Sequence, residues 1–96
     1  MATYVTLVNF TEQGIRNVKD SPERFAAFRA LAEKLGVAVR SVHYTVGAHD
    51  MVVVVDGSDE AVTAVLLKVG SLGNVRTQTM RAYTPDEMKG ILAKVP

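Results

Sequence analysis

The chain has 96 residues, which is the length of one ordinary domain with a single hydrophobic core. Lys and Arg number 11 against 10 Asp and Glu, a net charge of +1, so no long-range positive field attracts nucleic acid or an anionic membrane, and we expect neither as a partner. Cysteine is absent, which excludes disulfide bonds, thiolate metal ligands and thiol catalysis.

The first predicted element is a strand over residues 3–10, within the sequence MATYVTLVNF. This segment alternates polar and apolar residues and lacks both the basic leader and the continuous apolar stretch of a secretion signal. The longest apolar run, Met51 to Val55, is far shorter than the roughly 20 residues that cross a bilayer. We therefore expect a soluble cytoplasmic protein.

A polar segment follows, for which we predict a loop with a single helical turn started by Thr11. The first long helix is predicted from Ser21, whose hydroxyl can accept an amide hydrogen bond, through to Gly36, which suits a left-handed stop. Its apolar residues recur at spacings of three and four and form one stripe: Phe25, Phe28, Leu31, Ala32 and Leu35.

Two further strands are predicted in VAVRSVHYTV and MVVVVD, joined as an antiparallel hairpin by a turn at residues 47–50. A second helix begins at Ser58, and a fourth strand, VRTQTMRAY, follows it. Thr84 and Glu87 have the spacing of a capping box, which predicts a short terminal helix. The order predicts one α+β domain over residues 1–96, with a ferredoxin-like βαββαβ sheet of four antiparallel strands and an extra C-terminal helix.

The valine run in the third strand predicts a partner for the sheet. A strand with one wet face should alternate polar and apolar residues, but residues 51–55 are apolar throughout. If the side chains on one face of this strand stayed exposed, about 1.5–3 kcal/mol of hydrophobic stabilisation would be lost for each valine-sized side chain. We expect a second copy to cover this face and form a dimeric α/β barrel, although a bound apolar ligand or the terminal helix would also cover part of it.

The hairpin turn contains the first candidate site residues. Gly47 allows a positive φ and Asp50 can bind neighbouring backbone amides, so turn geometry alone explains both. A sharper hypothesis makes His49 and Asp50 an acid–base pair, with His43 as an alternative proton acceptor. The two histidines have no recognised metal-ligand spacing, so we expect no metal site, and no motif predicts a cofactor.

The fourth strand supplies the second candidate set. Thr77, Thr79 and Arg81 share one face, and we place this face toward the inter-sheet side because Met80 and Ala82 suit the helix-covered core. A partly buried arginine needs an acceptor, either a carboxylate of a partner subunit or an anionic ligand. The predicted ligand-binding residues are Thr77, Thr79, Arg81, Arg76 and Asn74.

Three stretches together resemble the GYD-domain family: TYVTLVNFTEQGIRNVKDSPER, VGAHD and SLGNVRTQTMRAYTPDE. The resemblance covers nearly the whole chain and implies the dimeric α/β-barrel fold, but no particular activity. This chain has His49 at the position of the tyrosine for which the family is named, so a role that needs a phenol is in doubt, whereas imidazole still hydrogen-bonds. The matching positions are Gly14, Asn17, Lys19, Gly47, Asp50, Gly73, Asn74, Arg76, Thr77, Thr79 and Arg81.

Three functions remain open from the sequence. The first is a homo-oligomeric module that binds a small anionic or apolar molecule in an inter-sheet cavity. The second is a cofactor-independent enzyme, similar to small monooxygenases or isomerases, in which His43 or His49 accepts a proton and Arg81 stabilises an oxyanion. The third is a purely structural assembly unit whose arginines pair across subunits.

Overall fold

The computed structural model describes residues 1–96. A β-sheet of four antiparallel strands, in the order β2-β3-β1-β4, carries its two long helices on one face. The predicted α+β, ferredoxin-like arrangement is confirmed. The strands are β1 (Ala2–Phe10), β2 (Ala38–Tyr44), β3 (Met51–Gly57) and β4 (Val75–Ala82), and the helices are α1 (Glu12–Arg16), α2 (Ser21–Lys34), α3 (Asp59–Ser71) and α4 (Pro85–Leu92), with a 3₁₀ turn at Val18–Asp20.

Local capping explains where most helices begin. The hydroxyls of Thr11, Ser58 and Thr84 accept the backbone amides that open α1, α3 and α4, as the sequence predicts. One expected cap is wrong: Asp20 precedes α2, and Ser21 lies inside its first turn. The Ser21 hydroxyl instead lies 2.8 Å from the hydroxyl of Tyr44 on β2, so it fastens α2 to the edge of the sheet.

The core lies between the helices and one face of the sheet. Antiparallel pairing places Thr6 of β1 opposite Val53 of β3, and both are buried. Residues directly opposite each other share a face, so this pair identifies the helix-covered side of both central strands. The buried apolar residues are Val8, Ala32, Val37, Met51, Val53, Val55, Val62 and Val65.

The other face of the sheet has no helix on it, and we call it the open face. Val5 and Leu7 of β1 and Val52 and Val54 of β3 lie there, half-buried between neighbouring strands. Helix α4 contains no buried residue and makes few contacts with the other elements, so it does not cover the open face. A large apolar surface is therefore left uncovered on the single chain.

The edge strand β2 contains an irregularity. Val39 pairs with Val55, but Ser41 pairs with Val54, so Arg40 is an extra residue in the ladder, a β-bulge. Its guanidinium Nη1 lies 3.1 Å from Asp56 Oδ2 on β3, which ties the bulge to the neighbouring strand. No helix of the structure has both the length and the apolar character needed to cross a bilayer.

Candidate ligand cavity

The hairpin between β2 and β3 is held by its polar side chains. Asp50 Oδ2 accepts the backbone amide of Phe10, and the Asp50 amide donates to the carbonyl of Val8, each at 2.8 Å. The Asn9 side chain donates to the carbonyl of Ala48 at 2.8 Å, and its Oδ1 lies 2.9 Å from His49 Nδ1. These bonds fix the turn against the end of β1, so the Asp50 carboxylate binds an amide of a distant strand and not, as turn geometry predicts, one of its own turn.

The structure does not bring together the residues of the acid–base hypothesis. The Asp50 carboxylate binds a backbone amide and the His49 ring contacts Asn9, so the two side chains are not hydrogen-bonded to each other. His43 lies on the open face opposite Val52. No three His, Asp or Glu side chains are grouped closely enough to hold a metal ion.

The predicted orientation of β4 is wrong. Thr79 pairs with Thr6 and Thr77 pairs with Val8, and both of these β1 residues are buried beneath the helices. Thr77, Thr79 and Arg81 therefore face the helix side and not the inter-sheet side. Met80, opposite Val5, is 50% exposed on the open face. The pairing with β1, and not the greater apolarity of Met80, decides which side of β4 is covered.

The side chains of this β4 face have different partners. The hydroxyls of Thr6 and Thr79 lie 2.9 Å apart and satisfy each other, whereas the Thr77 hydroxyl has no hydrogen-bond partner in the protein. The Arg81 guanidinium lies over the ring of Tyr83 at 4.4 Å and near that of Tyr4 at 5.7 Å. Arg81 is therefore on the opposite side of the sheet from His43, so these residues do not form the oxyanion site of the enzyme hypothesis.

Asn74 and Arg76, the remaining predicted ligand residues, lie apart. Asn74 is half-buried in the loop before β4, where its backbone carbonyl accepts the Thr11 amide at 3.0 Å and its Oδ1 accepts Gln13 Nε2 at 2.9 Å. Arg76 is exposed on the open face opposite Asn9. Of the five predicted ligand-binding residues, Asn74 and Thr77 line the same cavity, between the helices and the sheet.

A cavity of about 430 Å³ lies between α2, α3 and the helix-covered face of the sheet. It is open to solvent on one side, where the lining residues Ala27, Lys68 and Leu72 are exposed. Thr6, Val8, Met51 and Val53 form its floor. The remaining lining residues are Phe10, Ser21, Arg24, Phe25, Ala27, Phe28, Leu31, Leu66, Lys68, Val69, Leu72, Asn74, Val75 and Thr77.

Arg24 is the charged residue whose position in this wall is most firmly set. Its Nη1 donates to the carbonyl of Asn17 at 2.8 Å, its Nη2 donates to the carbonyl of Gly14 at 3.2 Å, and its guanidinium lies 6.0 Å from the centre of the Phe10 ring. None of the ion pairs of the chain involves Arg24. Its charge is therefore held by carbonyl dipoles and not neutralised by a carboxylate.

Sequence reasoning missed Arg24, Phe25 and Phe28 as site residues. The helical spacing of Phe25 and Phe28 predicts only core, and Arg24 lies outside that apolar stripe. Phe25 and Phe28 do pack on the core, with ring centres 5.7 Å apart, but they also line the cavity. The one available signal was Arg24 itself, a cation directly beside the apolar stripe of α2. In a helix whose apolar stripe is fully buried, a charged residue is expected on the solvent-exposed side.

The topology and the cavity define an α+β protein of ferredoxin-like arrangement with a solvent-accessible cavity beneath its helices. The comparison with family models is consistent with this class: the model of the GYD domain matches residues 4–92. The chain therefore belongs to the GYD domain family, and the resemblance stated from its sequence is confirmed. A search of the curated proteins found no match.

Proposed function

We propose that the protein is a homo-oligomeric module that binds a small, largely apolar molecule in the cavity beneath α2 and α3. The observation that carries the proposal is the cavity itself, whose volume of about 430 Å³ falls within the 300–1,000 Å³ typical of ligand pockets. Its lining is mostly apolar with a few polar groups, which is the usual composition of such sites. This location replaces the inter-sheet cavity expected from the sequence, because Asn74 and Thr77 line the helix side.

The binding proposal is tested by titration with the neutral fluorescent probe N-phenyl-1-naphthylamine. We expect saturable binding to the wild type and at least tenfold weaker binding to Ala27→Phe, because Ala27 lines the cavity and a phenyl group there occupies its volume. Ala30→Phe is the matched control: it is on the same helix and is exposed, but it does not line the cavity. Absence of probe binding by the wild type, or equal binding by both variants, would contradict the proposal.

Self-association of the module is supported by two uncovered apolar surfaces. The open face carries Val5, Leu7, Val52 and Val54, and a second copy facing it would remove these side chains from water. Helix α4 has an apolar stripe that includes Met88, which is 39% exposed, and Leu92, which is 58% exposed. Isologous packing of two sheets uses the same face on both copies, so one set of side chains supplies the whole interface.

Sedimentation velocity over a range of protein concentrations tests the self-association. We expect the wild type to sediment as a dimer or larger assembly and Val54→Lys to shift toward single chains, because the new charge would be buried in the interface. Ala64→Lys adds the same charge on the exposed surface of α3 and should leave the assembly unchanged. A wild type that sediments as a single chain at all concentrations would refute this part of the proposal.

A further inference from the structure

The charged groups around the cavity are of one sign. Arg24 and Lys68 both line it, and its lining contains no Asp or Glu. Positive side chains in the lining of an apolar cavity favour an anion over a neutral molecule of the same shape.

Hydrogen bonds fix the position of the positive charge of Arg24. Two of its five N–H groups are bound to the carbonyls of Asn17 and Gly14, which hold the guanidinium at the end of the cavity beside Phe10. Three donors are left for another acceptor, and the structure supplies no carboxylate for them. A planar guanidinium with free donors is the protein group best matched to a carboxylate.

The apolar lining of the cavity combines aliphatic side chains with three aromatic rings. Phe10, Phe25 and Phe28, which are all the phenylalanines of the chain, line it together with Met51. Ring edges and faces pack favourably against other rings, and a thioether makes good contacts with them. Thr77 lies in the same lining.

We propose that the ligand is an aryl carboxylate, with its ionised carboxyl group against Arg24 and its ring among the three phenylalanines. The inference rests on the proposed function, because it requires that the cavity be a ligand site. It adds a chemical class and an anchoring residue to that function. The anion is bound at a partly exposed position, so we expect a discrimination of about tenfold against the neutral amide of the same shape.

The test compares 2-naphthoate with 2-naphthamide by calorimetry or by displacement of N-phenyl-1-naphthylamine. The wild type should bind the acid about tenfold more tightly than the amide. Arg24→Gln should remove this preference, so that the acid and the amide bind with similar affinity. Lys34→Gln removes an equal charge from an exposed position of the same helix, outside the cavity lining, and should keep the preference. Equal affinities in the wild type, or a preference that survives in Arg24→Gln, would overturn the inference.

A second measurement keeps the inference testable if Arg24→Gln does not fold. In NMR spectra of the wild type, naphthoate should shift the Arg24 side-chain N–H signal and naphthamide should not. If Lys68→Gln loses the preference and the Arg24 signal stays in place, the anchor is not Arg24 and the assignment is wrong. Binding of the neutral probe without acid preference refutes only the ligand class, whereas absence of all binding refutes the proposed function.

Discussion

The two faces of β3 carry similar side chains in different surroundings. Val53 and Val55 are 4% and 3% exposed beneath the helices, whereas Val52 and Val54 are only half-buried on the open face. A continuous apolar strand is suited to burial on both sides, but this chain supplies long helices for one side only. Even the covered side is incompletely filled, because α2 and α3 leave a cavity of about 430 Å³. The comparison shows that an apolar strand sequence predicts burial of both faces, but does not predict what covers each face.

The largest effect is expected at Gly14 in α1, which packs against the loop before β4. A Cβ on Gly14 would lie 1.9 Å from the backbone oxygen of Asn74. Gly14→Ala should therefore force α1 from the loop before β4 and lower the free energy of unfolding by about 3 kcal/mol, measured by urea titration.

The matched control for this substitution is Gly70→Ala in α3, where an added Cβ meets nothing within 4 Å. Because alanine favours a helix more than glycine does, this variant should be stabilised by up to about 1 kcal/mol. If Gly14→Ala unfolds at the same urea concentration as Gly70→Ala, the contact at Asn74 does not constrain the fold.

A direct comparison of the two faces uses neighbouring valines. Val53→Ala should cost about 2 kcal/mol, because it leaves a cavity in the covered core. Val54→Ala should cost less than about 1 kcal/mol in dilute solution, and more as the protein concentration rises if a second copy covers it. Urea unfolding at two protein concentrations measures both, and equal, concentration-independent losses would contradict the distinction between the faces.

The hairpin offers a smaller test at the open face. Asn9→Ala removes the bond to the Ala48 carbonyl and the contact with His49, so the free energy of unfolding should fall by about 1 kcal/mol. Gln78→Ala, an exposed change on the same face, should be nearly neutral. If the two variants have the same unfolding midpoint, the Asn9 contacts do not stabilise the turn.

The smallest effect is a pH dependence confined to α4. The backbone amide of Thr84, and then its hydroxyl, hold the pKa of Glu87 below its ordinary value. A lowered pKa in the folded state means that the cap stabilises α4 above the ordinary glutamate pKa and loses this contribution as the pH falls through the folded value. NMR titration of Glu87 should give the lowered pKa in the wild type and a smaller lowering in Thr84→Ala, which loses the hydroxyl but keeps the backbone amide donor. An ordinary pKa in both would show that the capping box is not formed in solution.

Most of the fold could be predicted from local signals. Thr11, Ser58 and Thr84 mark the helix starts correctly, and Gly36 adopts the predicted positive φ, at +83°. The expected cap at Ser21 is wrong because Ser21 finds a tertiary partner in Tyr44, which no local pattern contains.

The side of the sheet on which β4 displays its residues was less predictable. Thr77 and Thr79 are less apolar than Met80, so hydrophobicity favours the wrong side, and only the pairing with β1 corrects it. The cavity was not predictable at all. Arg24, Thr77 and Asn74 come from a helix, a strand and a loop that are far apart in sequence and meet only in the folded chain.

The bulge at Arg40 has a consequence for how copies of this protein avoid aggregating. An edge strand with a regular row of free amides and carbonyls is a template onto which further strands add, the route to fibrils. The extra residue in β2, with its charged side chain held by Asp56, breaks that row and increases the local twist. Growth of the sheet sideways along β2 is thereby disfavoured, which lowers the tendency of the folded chain to form fibrils through this edge.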